Sequence, residues 1–194
     1  MAVNGHTFNE STITSDSRIL DIGGNHGDFS REVLERFKCY VECFEPDQDG
    51  CSHIRQMIND PKFTLVNKAV AGISGRRSFY RVGPINGGNS LLPGSREYGK
   101  DPGNTIFDVD VVSLDSILDK YQTVDLIKMD CEGAEIEIIE KTQQWSKVKQ
   151  VTIEFHDFCF KSITLKDVER CEDILKSYGF NSQYQKHEDH LFYR

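Results

Sequence analysis

No stretch of this 194-residue sequence approaches the roughly 20 consecutive apolar residues of a membrane-spanning helix. The first seventeen residues, MAVNGHTFNESTITSDS, are polar and lack the apolar centre of a secretory leader. Basic residues are outnumbered. The 23 Lys and Arg against 31 Asp and Glu leave a net charge of −8, which argues against a nucleic-acid or anionic-membrane partner. Arg76 with Arg77 and Lys161 with Lys166 are the basic groupings that stand out. There is no CxxC pair. Cys39, Cys43, Cys51, Cys131, Cys159 and Cys171 are scattered, which excludes the common zinc spacings and suits reduced thiols in a cytoplasmic protein. Linkers, repeats and low-complexity tracts are also missing. A single domain over residues 17–194, after a polar lead of 1–16, is therefore expected.

What is present alternates between strand and helix patterns. Strands are predicted at 18–22, 40–45, 63–70, 76–82, 106–112, 124–130 and 150–155. Helices are predicted at 28–38, 47–59, 114–120, 132–144 and 166–178. The tail reads as two strands around a turn at 186–189, with no room for a helix between them, so they must pair antiparallel. The expectation is an α/β fold: a Rossmann-like, mostly parallel sheet with helices on both faces and a C-terminal antiparallel hairpin.

The first strand runs into Asp21-Ile22-Gly23-Gly24-Asn25-His26-Gly27, just before the first helix. Ligands of open parallel sheets bind at such carboxyl ends, and glycines there let a ligand approach the backbone. The spacing fails the dinucleotide fingerprint, because its later positions hold Asn25 and Asp28, and no phosphate-loop Gly-Lys-Ser/Thr follows. Glu45, before Pro46 at the end of the second strand, can take both hydroxyls of a ribose. A ribose without a pyrophosphate points to S-adenosylmethionine. On this reading Asp21 attracts the ammonium of the aminoacyl end, directly or through water, and backbone N–H groups near the helix start take its carboxylate. Adenine lies near Asn67, Lys68 and Ala69.

The segments ILDIGGNHGDFS, CFEPD, NKAV, VSLDSIL, TIEFH and above all VDLIKMDCEGAEIEII resemble the FkbM-type S-adenosylmethionine-dependent methyltransferases, in the family's order from about residue 17 to 180. The resemblance implies a seven-stranded class I methyltransferase sheet. It also implies methyl transfer to a hydroxyl oxygen of a sugar, glycan, polyketide or other small molecule, with S-adenosylhomocysteine as product. The short lead predicts that the N-terminal substrate-binding helices of many methyltransferases are missing, and that the chain is one part of a larger biosynthetic protein.

Methyl transfer to an alcohol needs positioning and a group to take the proton. Asp130, at the end of the fourth strand, faces the expected methyl position and belongs to both the cofactor and the catalytic set. Lys128 lies two residues back on the same face, and Glu132 opens the next loop. Glu154 and His156 end the fifth strand, and His156 has the ordinary pKa nearest working pH. Asp130-Cys131-Glu132-Gly133 also reads as a plain helix start with Asp130 as cap. Asp130, Glu132, Glu154 and His156 could gather a hard divalent cation, but a metal is not the favoured reading. The polar stretch 83–105 is too long for an ordinary connection and reads as a substrate lid carrying Asn89, Ser90 and Tyr98. A polar lid favours a sugar or glycan acceptor over a polyketide alcohol. A non-catalytic cofactor-binding module is the reading from a different class.

Overall fold

A computed structural model describes residues 2–82, 88–94, 104–184 and 189–194. The chain opens on a hairpin of β1 (Ala2–Val3) and β2 (His6–Thr7), turned by Asn4 and Gly5 at φ of 47° and 88°. Asn-Gly is the pair that tolerates positive φ at both turn positions. There follow β3 (Arg18–Ile22), α1 (Asp28–Phe37), β4 (Tyr40–Phe44), α2 (Gln48–Met57), β5 (Phe63–Val66), β6 (Ala69–Ala71) and β7 (Gly75–Arg81). Then come β8 (Thr105–Ser113), α3 (Leu114–Leu118), β9 (Leu126–Met129), α4 (Glu135–Lys141), β10 (Gln150–Glu154), α5 (Leu165–Ser177), β11 (Asn181–Tyr184) and β12 (Asp189–Tyr193).

Seven strands form the main sheet in the order β5-β4-β3-β9-β10-β12-β11. The first five run parallel, and β12 lies antiparallel between β10 and β11. The chain order reverses beside β3, so the carboxyl ends of β3, β4 and β9 frame a crevice. Side chains alternate across the sheet. Ile19, Val41, Cys43 and Leu126 pack with Phe29, Val33 and Leu34 of α1 and Ile54 of α2 on one face. Leu20, Ile22, Phe44, Ile127 and Met129 pack with Ile117 of α3, Ile138 of α4 and Leu175 of α5 on the other. Burial on both faces explains why these strands read as apolar runs. Four of the six cysteines, Cys39, Cys43, Cys51 and Cys171, are buried, and all six are free thiols.

Three features differ from the sequence expectation. The strand expected over 63–70 breaks at Asn67-Lys68. Its second half, β6, leaves the main sheet and pairs parallel with β8, which pairs antiparallel with β7 in a separate three-stranded sheet. The break is fixed by Asn67, whose amide donates to the carbonyls of Glu45 (2.9 Å) and Pro46 (3.0 Å). The helix expected from 132 begins only at Glu135, because Glu132 and Gly133 have φ of 54° and 102°, outside the right-handed helical region. The polar lead is also packed: Val3, Phe8 and Ile13 join the core under α1. Thr7 N–H donates to Asp189 at 3.1 Å and Asn9 N–H to Gln150 at 2.7 Å. No helix among the described residues is long and apolar enough to cross a membrane.

Candidate active site

A cleft opens at the carboxyl ends of β3, β4 and β9. Asn25 after β3 and Glu45, Pro46 and Asp47 after β4 line one side, Asp130, Cys131 and Glu132 after β9 line the other, and Gly23 sits against the Asp130 carbonyl between them. Val70, Phe79 and Leu91 supply an apolar wall, and Ala69 and Asn89 also line it.

The glycine turn is held from below. At Gly23 (φ +82°) a Cβ would sit 1.8 Å from the Asp130 carbonyl oxygen, so only glycine fits between β3 and β9. Gly24 and Gly27 do not line the cleft. A Cβ on Gly24 would strike Cys43 Sγ at 2.3 Å, and Gly27, also at positive φ, is the N-cap of α1 against Ile54. Glu45 is 6% exposed. Its Oε2 accepts the Asn25 N–H at 2.7 Å and its Oε1 the Asp47 N–H at 2.7 Å. These bonds aim the carboxylate and leave lone pairs for a ligand. Burial pushes its pKa up to about 7, against the pull of those two N–H groups.

Asp21 and Lys128 lie beneath the turn rather than in the cleft. Asp21 is fully buried and accepts the Ser30 hydroxyl at 2.6 Å. Lys128, 3% exposed, donates to the Gly23 carbonyl at 2.6 Å and lies 3.3 Å from Asp21 and 3.4 Å from Asp130. Burial alone would lower the Lys128 pKa; Asp130 and Asp21 outweigh it and hold the ammonium well above its usual range. The Lys128 expected among catalytic groups is thus an internal clamp on the turn. Asn67 braces the chain after Glu45, and Lys68 is exposed outside the cleft lining.

The other end is assembled from distant segments. Nδ1 of His156 is 3.1 Å from Glu135 Oε1, and Nε2 is 3.4 Å from Glu132, 3.6 Å from Asp130 and 3.9 Å from Glu154. Glu135 also accepts the N–H of Cys131 (2.9 Å) and of Gly133 (2.8 Å), closing the loop that presents Glu132. No side chain caps α4: Asp130 does not act as the cap, and Glu135 bonds the loop before the helix instead. From the N-terminal hairpin, His6 Nε2 comes within 3.6 Å of Asp130. Among the described residues, two groups bring one potential metal-ligand atom per residue within 4.8 Å: Asp130–Glu132–His156 and His6–Asp130–Glu154.

The electrostatics follow from the crowding. Burial alone would raise the Asp130 carboxyl; Lys128, His6 and His156 outweigh it and hold it well below the usual carboxylate range. Burial, with Asp130, Glu135 and Glu154 adding to it, pushes Glu132 up to about 7 against the His156 charge. For His156 burial is outweighed by Glu135, Glu132 and Asp130, which raise it to about 10. The expectation that His156 titrates nearest working pH is corrected by this ring of acids.

Of the lid residues, Asn89 lines the cleft and accepts the Val82 N–H at 2.8 Å. Ser90 is fully buried, bonds the Glu132 carbonyl and pairs with Tyr80, so its hydroxyl fastens the segment instead of facing an acceptor. Tyr98 lies outside the described residues. The sequence reading missed His6, the clasp role of Glu135, and the apolar wall of Val70, Phe79 and Leu91. The Asn4-Gly5 pair between two short apolar-polar runs was the signal for the hairpin that carries His6.

Known proteins are similar to this chain in sequence and in fold. The model of the methyltransferase FkbM domain matches residues 21–182. The 2-O-methyltransferase NoeI of Sinorhizobium fredii (strain NBRC 101917 / NGR234) is 29% identical over 162 residues, covering 73% of this chain; the match spans 64% of that relative's length. Among solved structures, the fibrillarin/Nop5p complex superposes with a TM-score of 0.52 at 13% identity, covering 98% of this chain and 77% of that one. A ribosomal protein L11 methylase from Lactobacillus delbrueckii subsp. bulgaricus gives 0.51 at 10% identity, covering 94% and 71%. These likenesses show the class I methyltransferase fold, and with the family model they make the chain a member of the FkbM methyltransferase domain family.

Proposed function

We propose that this methyltransferase takes its methyl group from S-adenosylmethionine and passes it to a hydroxyl oxygen of a sugar or glycan. One observation carries the reading: a single cleft is lined by a backbone-aimed carboxylate, Glu45, after β4 and by Asp130 and Glu132 after β9, with the His156 imidazole behind those two acids. The ribose hydroxyls donate to Glu45. Adenine lies against the Val70–Phe79–Leu91 wall beside Ala69, and the aminoacyl end meets the Gly23–Asn25 backbone. The sulfonium methyl then faces Asp130.

The step is an in-line displacement. The acceptor oxygen forms a bond to the methyl carbon as the carbon–sulfur bond breaks, and sulfur leaves as the neutral thioether of S-adenosylhomocysteine. The hydroxyl proton passes to a carboxylate of the cluster. Positioning supplies most of the acceleration, because the leaving group is already good. Asn89 meets acceptor hydroxyls from the lid side. The name of the NoeI relative supports oxygen as the methylated atom, and the hydrogen-bonding character of the cluster supports a polyhydroxylated acceptor. Because the chain spans 64% of that relative, action within a longer biosynthetic protein is part of the proposal.

The test is transfer of isotope-labelled methyl from S-adenosylmethionine to a panel of sugars, polyketide alcohols and buffer alone. Label recovered in a sugar methyl ether supports the reading. Label only in a polyketide alcohol, or none with bound cofactor, replaces it with one of the two alternative readings.

A further inference from the structure

The Nε2 atom of His156 is in an unusual position. The side chain is 3% exposed, and its Nδ1 is engaged with Glu135 at 3.1 Å. Nε2 points among the carboxylates of Glu132, Asp130 and Glu154 at 3.4, 3.6 and 3.9 Å. The carboxylates crowded around this nitrogen repel one another, and one ligand atom each from Asp130, Glu132 and His156 lies within 4.8 Å of the others. A cation between them relieves that repulsion. The spacing fits an ion: two ligands each about 2.1 Å from one cation at a tetrahedral angle lie about 3.4 Å apart. A carboxylate on the far nitrogen of a metal-bound histidine is the usual second partner, and Glu135 occupies that place.

The alternative group, His6–Asp130–Glu154, uses the other side of Asp130. There the Lys128 ammonium already sits 3.4 Å from the same oxygen, Oδ2, that faces His6, so a dication would meet a fixed positive charge. On the His156 side the partner oxygen is Oδ1.

We propose that Asp130, Glu132 and His156 bind one divalent first-row transition cation, with Glu135 orienting the histidine. One imidazole with two carboxylates suits manganese or zinc, whereas magnesium prefers all-oxygen ligation. A cation there acidifies a hydroxyl brought against it. That role rests on the proposed methyl transfer; the binding does not.

The experiment is equilibrium dialysis of chelator-stripped full chain against manganese, zinc and magnesium, with methyl transfer and S-adenosylhomocysteine calorimetry run on the same material. The expected result is one manganese or zinc per chain, with magnesium at least tenfold weaker. Glu132→Gln and His156→Gln should each weaken uptake at least tenfold while thermal unfolding confirms the fold. Absence of saturable uptake overturns the site, as does uptake unchanged in a folded Glu132→Gln chain. Full methyl transfer by the stripped protein also overturns the cation's role while leaving the function standing. Stoichiometric uptake lost in the variants, without transfer to any acceptor, supports the site and counts against the function instead.

Discussion

The two ends of the cleft are built differently. The Glu45 end comes from three neighbouring pieces of chain: the glycine turn after β3, Glu45 after β4, and Asn67 after β5. Each acts through backbone geometry that its own residue type demands. The His156 end comes from the N-terminal hairpin, the loop after β9 and the end of β10, through side chains more than 20 residues apart. The first end is a shaped surface that needs little charge. The second concentrates Asp130, Glu132, Glu135, Glu154 and two histidines in one place, and its properties arise from mutual perturbation. On the proposed function the comparison assigns binding to one end and chemistry to the other, and substitutions can separate them.

The largest separation is expected at His156. His156→Gln removes the imidazole against which Asp130, Glu132 and Glu135 are held, and on the proposed function methyl transfer should fall by about 10²–10⁴-fold, the usual scale when a proton-accepting carboxylate is disturbed. Affinity for S-adenosylhomocysteine, read by calorimetry, should stay within about threefold, because His156 does not line the cleft. Lys128→Met strikes the joint between the two ends. It leaves Asp21 and Asp130 without their shared cation, and urea unfolding should show a loss of about 3–5 kcal/mol.

At the binding end, Glu45→Ala should weaken S-adenosylhomocysteine binding by about 1.5–3 kcal/mol, or roughly 10- to 150-fold, for loss of a charged hydrogen-bond acceptor. The pH dependence is smaller. Glu45 has its pKa raised to about 7, so the ionised acceptor is present above that value and lost as pH falls through it. Calorimetry should find the thioether bound roughly tenfold more weakly at pH 6 than at pH 8, with Glu45→Gln abolishing that dependence. The smallest effect is expected for Asn67→Ala. It frees the break between β5 and β6 and should lower stability by about 1 kcal/mol.

Legibility in the sequence followed the same division. The turn at 23–27 and Glu45 could be read because strand, turn and acid are local patterns. The sheet and its antiparallel last strand could be read because apolar runs and the missing helix between β11 and β12 dictate them. Asp130, Glu132, Glu154 and His156 were identified as types at strand ends, but not their states. The pKa of His156 is set by Glu135 and Glu132, and only the folded loop shows that these acids ring it. Lys128 illustrates the same limit: alternation along β9 placed it on the right face, but only the register with Asp21 shows it clamped beneath the turn. His6 lay hidden because it joins Asp130 across 124 positions of chain.

The central claim is that this crevice is shaped for adenosine joined to an amino acid, with the ribose on Glu45. Titration calorimetry of the folded chain with S-adenosylhomocysteine, beside Glu45→Ala, tests it most directly. One site per chain, weakened at least tenfold by the substitution, is the predicted result. Absence of binding to the well-folded native chain, or equal affinity in the two proteins, would contradict it.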